Sequence, residues 1–171
     1  VVAGLEARPV VPVGSDDRFA GYAILGVRFA SGDILALRRF PASSVGPGYT
    51  SVWHRSPDRR WIMYQDIDVH AGCGKYFSSA VETIREAPIR VVWTGADRFS
   101  VFVGRAEPIT WDVQLGATAV SRALGSLAAI LPASLFRVPV LARAVGSAAG
   151  ALLGAGALTL TGSSPNGFRF I

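Results

Sequence analysis

Apolar and polar residues alternate with a period of two over much of the first two-thirds of the chain, the period of strands with one face buried. Tyr22 to Phe29 and Ile34 to Phe40 flank Ala30-Ser31-Gly32-Asp33, where the glycine supplies the positive φ of a tight hairpin. Pro41 removes a ladder donor, and residues 43–48 read as loop. Thr50 to Arg55 and Arg60 to Asp66 enclose Ser56-Pro57-Asp58-Arg59, with the proline-aspartate order of a type I turn. Residues 67–75 hold His70, Gly72, Cys73 and Gly74 and read as loop. Beyond them Phe77, Val81 and Ile84 have helical spacing, while Glu82 to Glu86 also suits a strand edge. Three alternating segments follow, centred on Val91, Val101 and Trp111. Their short connections predict an antiparallel meander.

At Gly116 the period changes. Residues 117–155 are rich in Ala and Leu, with Val120, Leu124, Leu127 and Leu131 at helical spacing. Pro132 breaks the first helix, and Pro139 stands near the start of a second that runs to Gly154. Leu158 and Leu160 then alternate with threonines, and Asn166-Gly167 turns the chain into Phe168-Arg169-Phe170-Ile171 as a hairpin. The expected organisation is an arm over 1–20 with an edge-strand candidate at Val10-Val11, an antiparallel sheet over 21–116, an apolar helical segment over 117–155, and a hairpin over 156–171 returning to the sheet. The leucine-rich face of the helices is expected to cover that sheet. The fold class is mainly β.

Ala144 to Gly162 is nineteen residues without a charge, near the length a bilayer requires. Three glycines before Gly156 and the strand-like alternation at its end favour packed helices or a surface-lying hairpin over a span.

Length fits one domain, and half the residues are hydrophobic, which excludes a disordered chain. The net charge of +5 points to no anionic polymer, because the basic residues are scattered and sixteen of the seventeen are arginine. Nucleic acid is not an expected partner. Cys73 is alone, so neither a disulfide within the chain nor a cysteine-built zinc site can form. A reducing, cytoplasmic setting is the natural reading, at most peripheral to a membrane. Val1 is not a methionine and the chain stops on a strand pattern, so a longer chain is expected to extend beyond these ends.

Chemistry-bearing residues are sparse. Asp66, Asp68 and His70 are spaced by two and would share one face of a strand, a ligand set for an oxygen-preferring metal. Gly72 and Gly74 end the strand early, so turn chemistry is favoured and no metal is expected. His54, in a strand between Trp53 and Arg55, is a general acid–base candidate or a core histidine. Ser43 and Ser44 lack the Gly-x-Ser-x-Gly elbow, and no phosphate loop or dinucleotide fingerprint occurs, so no cofactor is expected. The aromatic set is more suggestive: Tyr22, Tyr49, Trp53, Trp61, Tyr64, Trp93 and Trp111 spread over most strands, with Arg38 or Arg39 able to meet an anionic group. Such residues line ligand cavities, and they equally make sheet cores. The ligand-binding set so named is Arg38, Tyr49, Trp53, His54, Tyr64 and Trp93.

Gly21-Tyr22 through Phe29-Ala30-Ser31-Gly32-Asp33, then Leu35-Ala36-Leu37-Arg38-Arg39-Phe40-Pro41 and Thr50-Ser51-Val52-Trp53-His54-Arg55, resembles uncharacterised bacterial proteins. These in turn are similar in strand order and aromatic content to the lipocalin-related AttH and hydroxyneurosporene synthase group. No residue-specific motif carries over. The resemblance implies a lipocalin-like (calycin) sheet or half-barrel, with the helical segment as an insertion and a second β domain elsewhere in a longer chain. It also implies a hydrophobic small-molecule ligand, lipid, terpenoid or polyketide-like, bound for carriage or for cofactor-free hydration, isomerisation or cyclisation. Catalysis is left open. The alternative is a non-enzymatic interaction module whose helical segment docks on a partner protein or a membrane surface.

Overall fold

The computed structural model describes residues 2–105, 109–132, 138–154, 156 and 158–170. Val1, residue 155 and Ile171, named above, lie outside the described residues. Among the described residues the chain is mainly β, 36% strand against 25% helix, in mostly antiparallel sheets of which none closes on itself. Where length suggested one domain, two compact units form, Val1–Gln114 and Leu115–Ile171, divided where the periodicity changes.

In the first unit the hairpins form as the alternation predicts. Strands β1 (Phe19–Arg28), β2 (Ile34–Ser43), β3 (Tyr49–Arg55) and β4 (Trp61–Gln65) are successive antiparallel neighbours. Strand β2 runs through Pro41 rather than stopping there. Beyond Phe40 it no longer pairs with β3, so the missing donor interrupts no ladder on that side. The arm carries a helix, α1 (Val2–Ala7), and Val10-Val11 joins no sheet.

The expected all-antiparallel sheet over 21–116 is corrected in two respects. Strand β5 (Thr83–Glu86) pairs parallel to β4, Ile62 opposite Thr83, because the connection crosses back over one face of the sheet. That crossover contains α2 (Gly72–Phe77) and a 3-10 turn at Ser78–Ala80, so the stretch read as loop ends in helix. Pro88 then ends pairing with this sheet, and β6 (Ile89–Trp93), β7 (Arg98–Val103) and β8 (Ile109–Gln114) form a second, three-stranded meander. The two sheets meet through aromatic edges: Tyr22 lies 6.2 Å from Trp93 and 6.1 Å from Phe99, and Phe29 lies 6.3 Å from Trp111, between ring centroids. Leu37, Val52, Phe99 and Val101 are buried, alternate residues of their strands. The opposite face of the five-stranded sheet has its own core of Tyr49, Met63 and Cys73, flanked by Phe19, Phe40, Trp53 and Phe77.

The second unit holds α3 (Ala119–Ile130) and α4 (Pro139–Leu153). The Thr118 side chain accepts the Ser121 N–H at the start of α3, proline begins α4, and Gly154 ends it at φ 61°. The last hairpin, β9 (Gly162–Ser163) and β10 (Arg169–Phe170), pairs with itself as a two-stranded sheet. Within this unit Leu127, Leu141 and Leu153 of the leucine face are exposed and Leu124 and Leu131 half-buried.

Candidate functional site

Strand alternation separates two adjacent arginines. Arg38 stands opposite Ser51 and shares its face of the sheet with Phe40, Tyr49 and Trp53, whereas Arg39 stands opposite Thr50 on the other face. The crossover lays α2 over the Arg38 face. Gly72 makes this approach possible, because a Cβ there would come 2.8 Å from the Tyr49 ring and its φ of 50° already suits glycine. Buried Gln65 organises the crossover: its amide donates to the carbonyls of Ile67, Asp68 and Ala71, and its Oε1 accepts the Gly74 N–H at 3.1 Å.

Around Arg38 the result is an aromatic sleeve. The guanidinium carbon lies 4.7 Å from the Trp53 ring centre and 4.2 Å from that of Phe77, both cation–π distances, and the two rings meet edge to face at 5.2 Å, so that Arg38 packs into the corner they form. Its Nη1 donates to Cys73 Sγ at 3.8 Å, and the Tyr49 hydroxyl lies 3.6 Å from the same sulfur. Burial, with Cys73 beside it, pushes the Tyr49 hydroxyl far above the ordinary tyrosine range, so it stays a neutral phenol. Two more polar atoms here are buried without a partner among the described residues, Ser51 Oγ and Trp53 Nε1. No carboxylate among the described residues pairs with Arg38, which is half-buried.

Arg39 is satisfied. It grips Glu6 of α1 with Nε and Nη2, each at 3.0 Å, and donates from Nη1 to Thr50 Oγ1 at 3.0 Å. Tyr22 adds a 2.7 Å hydrogen bond to the same carboxylate. Burial works against ionising Glu6, but the Arg39 and Tyr22 hydrogen bonds outweigh it and hold the carboxyl below its ordinary range.

Arg38, Tyr49 and Trp53 of the six named residues therefore come together, joined by Cys73 and Phe77. The other three are elsewhere. His54 lies on the opposite face of β3 and meets Asp33 Oδ1 through Nε2 at 2.7 Å. Ser31 donates to Asp33 and not to the imidazole, so the three residues form a turn clasp and no activated nucleophile. Tyr64 alternates away from Met63 and Gln65, and Trp93 packs 4.9 Å from Phe99 in the second sheet. Asp66 Oδ1 accepts the Thr50 N–H and Asp68 Oδ1 the His70 N–H, while Ser43 and Ser44 accept the backbone N–H groups of Val45 and Arg18.

Two surface clefts lie apart from the sleeve. One, of about 290 Å³, is bordered by Asp66, Glu86, Ala87 and Pro88. The other, of about 610 Å³, runs over the outer face of the second sheet past Arg90, Phe102, Arg105 and Thr110. Cys73 and Phe77 escaped the sequence reading because their relation to Arg38 spans more than thirty positions. The helical spacing of Phe77, Val81 and Ile84 was no guide, because α2 ends at Phe77 and Ile84 lies in β5, as the strand-edge alternative had it. No protein-family model, no curated protein and no solved structure matches the chain.

Proposed function

We propose that the β unit binds an amphipathic small molecule, with an anionic head at Arg38 and an apolar body along the aromatic residues beside it. One observation carries the reading: of two adjacent arginines, Arg39 is neutralised by Glu6, whereas Arg38 sits among Trp53, Phe77 and Cys73 with no acid partner among the described residues. A half-buried cation in apolar surroundings gains from a desolvated carboxylate or phosphate more than one in water does. Ser51 Oγ and Trp53 Nε1 offer unspent hydrogen-bonding capacity at the same place. Trp53, Trp61 and Phe77 are only partly buried, and their edges give the apolar body a surface.

On this reading the stacked sheets are an opened form of the lipocalin-like half-barrel that the resemblance implies, and the ligand is an anionic lipid or terpenoid acid. Carriage fits the residues better than catalysis, since Cys73 Sγ meets Arg38 and Tyr49 but no general base among the described residues. Titration with a fluorescent polyene fatty acid and with its methyl ester tests the reading. The acid should bind about tenfold or more tighter than the ester, a difference of about 1.4 kcal/mol, and Arg38→Met should erase that preference. Equal binding of acid and ester by the unaltered chain would overturn the reading.

A further inference from the structure

The second unit turns its helices inside out. A helix of a water-soluble unit buries its large apolar residues and shows solvent its small and polar ones. In α4 the buried stripe is instead Ala142, Gly146 and Gly150, four residues apart. The following segment lies directly on that stripe: a Cβ at Gly146 would come 2.3 Å from the Leu158 carbonyl oxygen, and one at Gly150 2.0 Å from that of Gly156. Most of the helix's large residues are left outside, with Val140 75% and Leu152 59% exposed, and Val145 is half-buried. Helix α3 continues the pattern, with Ile130 76% and Leu127 50% exposed. Among the described residues of this unit, Ala142 is the single buried hydrophobic.

Charge identifies what such a surface suits. All twelve acidic residues of the chain precede Gln114, while residues 115–171 carry Arg122, Arg137, Arg143 and Arg169 and no carboxylate side chain. Arg122 and Arg143 are exposed on the same two helices as the apolar residues, and Arg169 stands in β10 between exposed Phe168 and Phe170. Among the described residues no helix is long and apolar enough to cross a membrane.

We infer that the second unit docks on the surface of an anionic phospholipid bilayer, with α3 and α4 lying in the interface plane. Large aliphatic side chains enter the acyl boundary, arginines meet phosphate groups, and the Phe168-Arg169-Phe170 strand adds two aromatic anchors. A protein partner or a second copy would bury apolar area equally well, but neither accounts for a whole unit without an acidic side chain. A layer of uniform negative charge does.

The test uses the full chain and vesicles of phosphatidylcholine with or without phosphatidylglycerol. The chain should float with the anionic vesicles and not with the neutral ones, and roughly 1 M salt, where the Debye length is about 3 Å, should weaken binding. Arg122→Glu with Arg143→Glu should reduce binding about tenfold or more, since each basic residue near such a surface contributes appreciably. Ile130→Asp with Val140→Asp should abolish binding and leave the melting temperature unchanged, because both side chains face outward. Binding that is absent, indifferent to lipid charge or unaltered in both variants would overturn the inference. So would a salt-resistant dimer in sedimentation that Ile130→Asp with Val140→Asp dissociates, which would make a second copy the occupant.

Discussion

Glu6 and Arg39, thirty-three positions apart, meet in a two-pronged ion pair whose Nη2 to Oε2 and Nε to Oε1 distances are both 3.0 Å. With side-chain exposures of 20% and 26%, the pair is partly shielded from water, and it fastens α1 to the sheet edge beside Tyr22. Glu6→Gln should cost about 2 kcal/mol in urea unfolding, because Arg39 keeps its charge and loses its counter-ion.

The same pair sets an acid limb. Glu6 is held below its ordinary value of 4.5, so its contribution is complete above that value and is lost as pH falls through the lower, folded one. Unfolding free energy measured from pH 6 downward should decline over this window. In Glu6→Gln that part of the slope should disappear.

Asp33 behaves alike at the surface. The His54 hydrogen bond first, and that of Ser31 second, hold its carboxyl below the ordinary range. Carbon-detected NMR titration of His54→Gln should find the Asp33 midpoint moved upward toward 3.8, its ordinary value. An unmoved midpoint would mean that the 2.7 Å contact does not persist in solution.

Gln65→Leu should destabilise the first unit by about 3 kcal/mol or more. It removes every hydrogen bond that Gln65 makes to the crossover and leaves the Gly74 N–H and several carbonyls without their partner. Loss of the same order from Gln65→Glu, which keeps the shape but not the amide donors, would identify donation as the essential part.

Cys73, 2% exposed beneath α2, should resist a thiol reagent in the native chain and react stoichiometrically in denaturant. Prompt native reaction would show that the crossover opens readily. Slowing of any native reaction by the fatty acid would tie that opening to the sleeve.

Local order was legible wherever alternation ran long enough. The hairpins around Ala30–Asp33 and Ser56–Arg59, the meander from Ile89 to Gln114 and the two helices all follow from periodicity and turn residues. The arm and the crossover were not legible. Helix α1 is six residues long and is held by a distant arginine, and α2 begins among glycines chosen for their close approach to Tyr49 and Val69 rather than for helix propensity. The sequence offered Arg38 or Arg39 as the anion-binding residue without a means of choosing.

What the sequence by itself determined is the set of short-range relations: which residues alternate, where turns fall, where the period changes at Gly116, and that no acidic residue follows Asp112. Tertiary structure alone decided the direction of β5, the division into two stacked sheets, the pairing of Arg39 with Glu6, and the turning outward of the large residues of α3 and α4. The reason is the range of the forces. Periodicity reports which face of an element is apolar, but the partner that covers that face, or its absence, depends on contacts between residues far apart in the chain, and no local pattern encodes them.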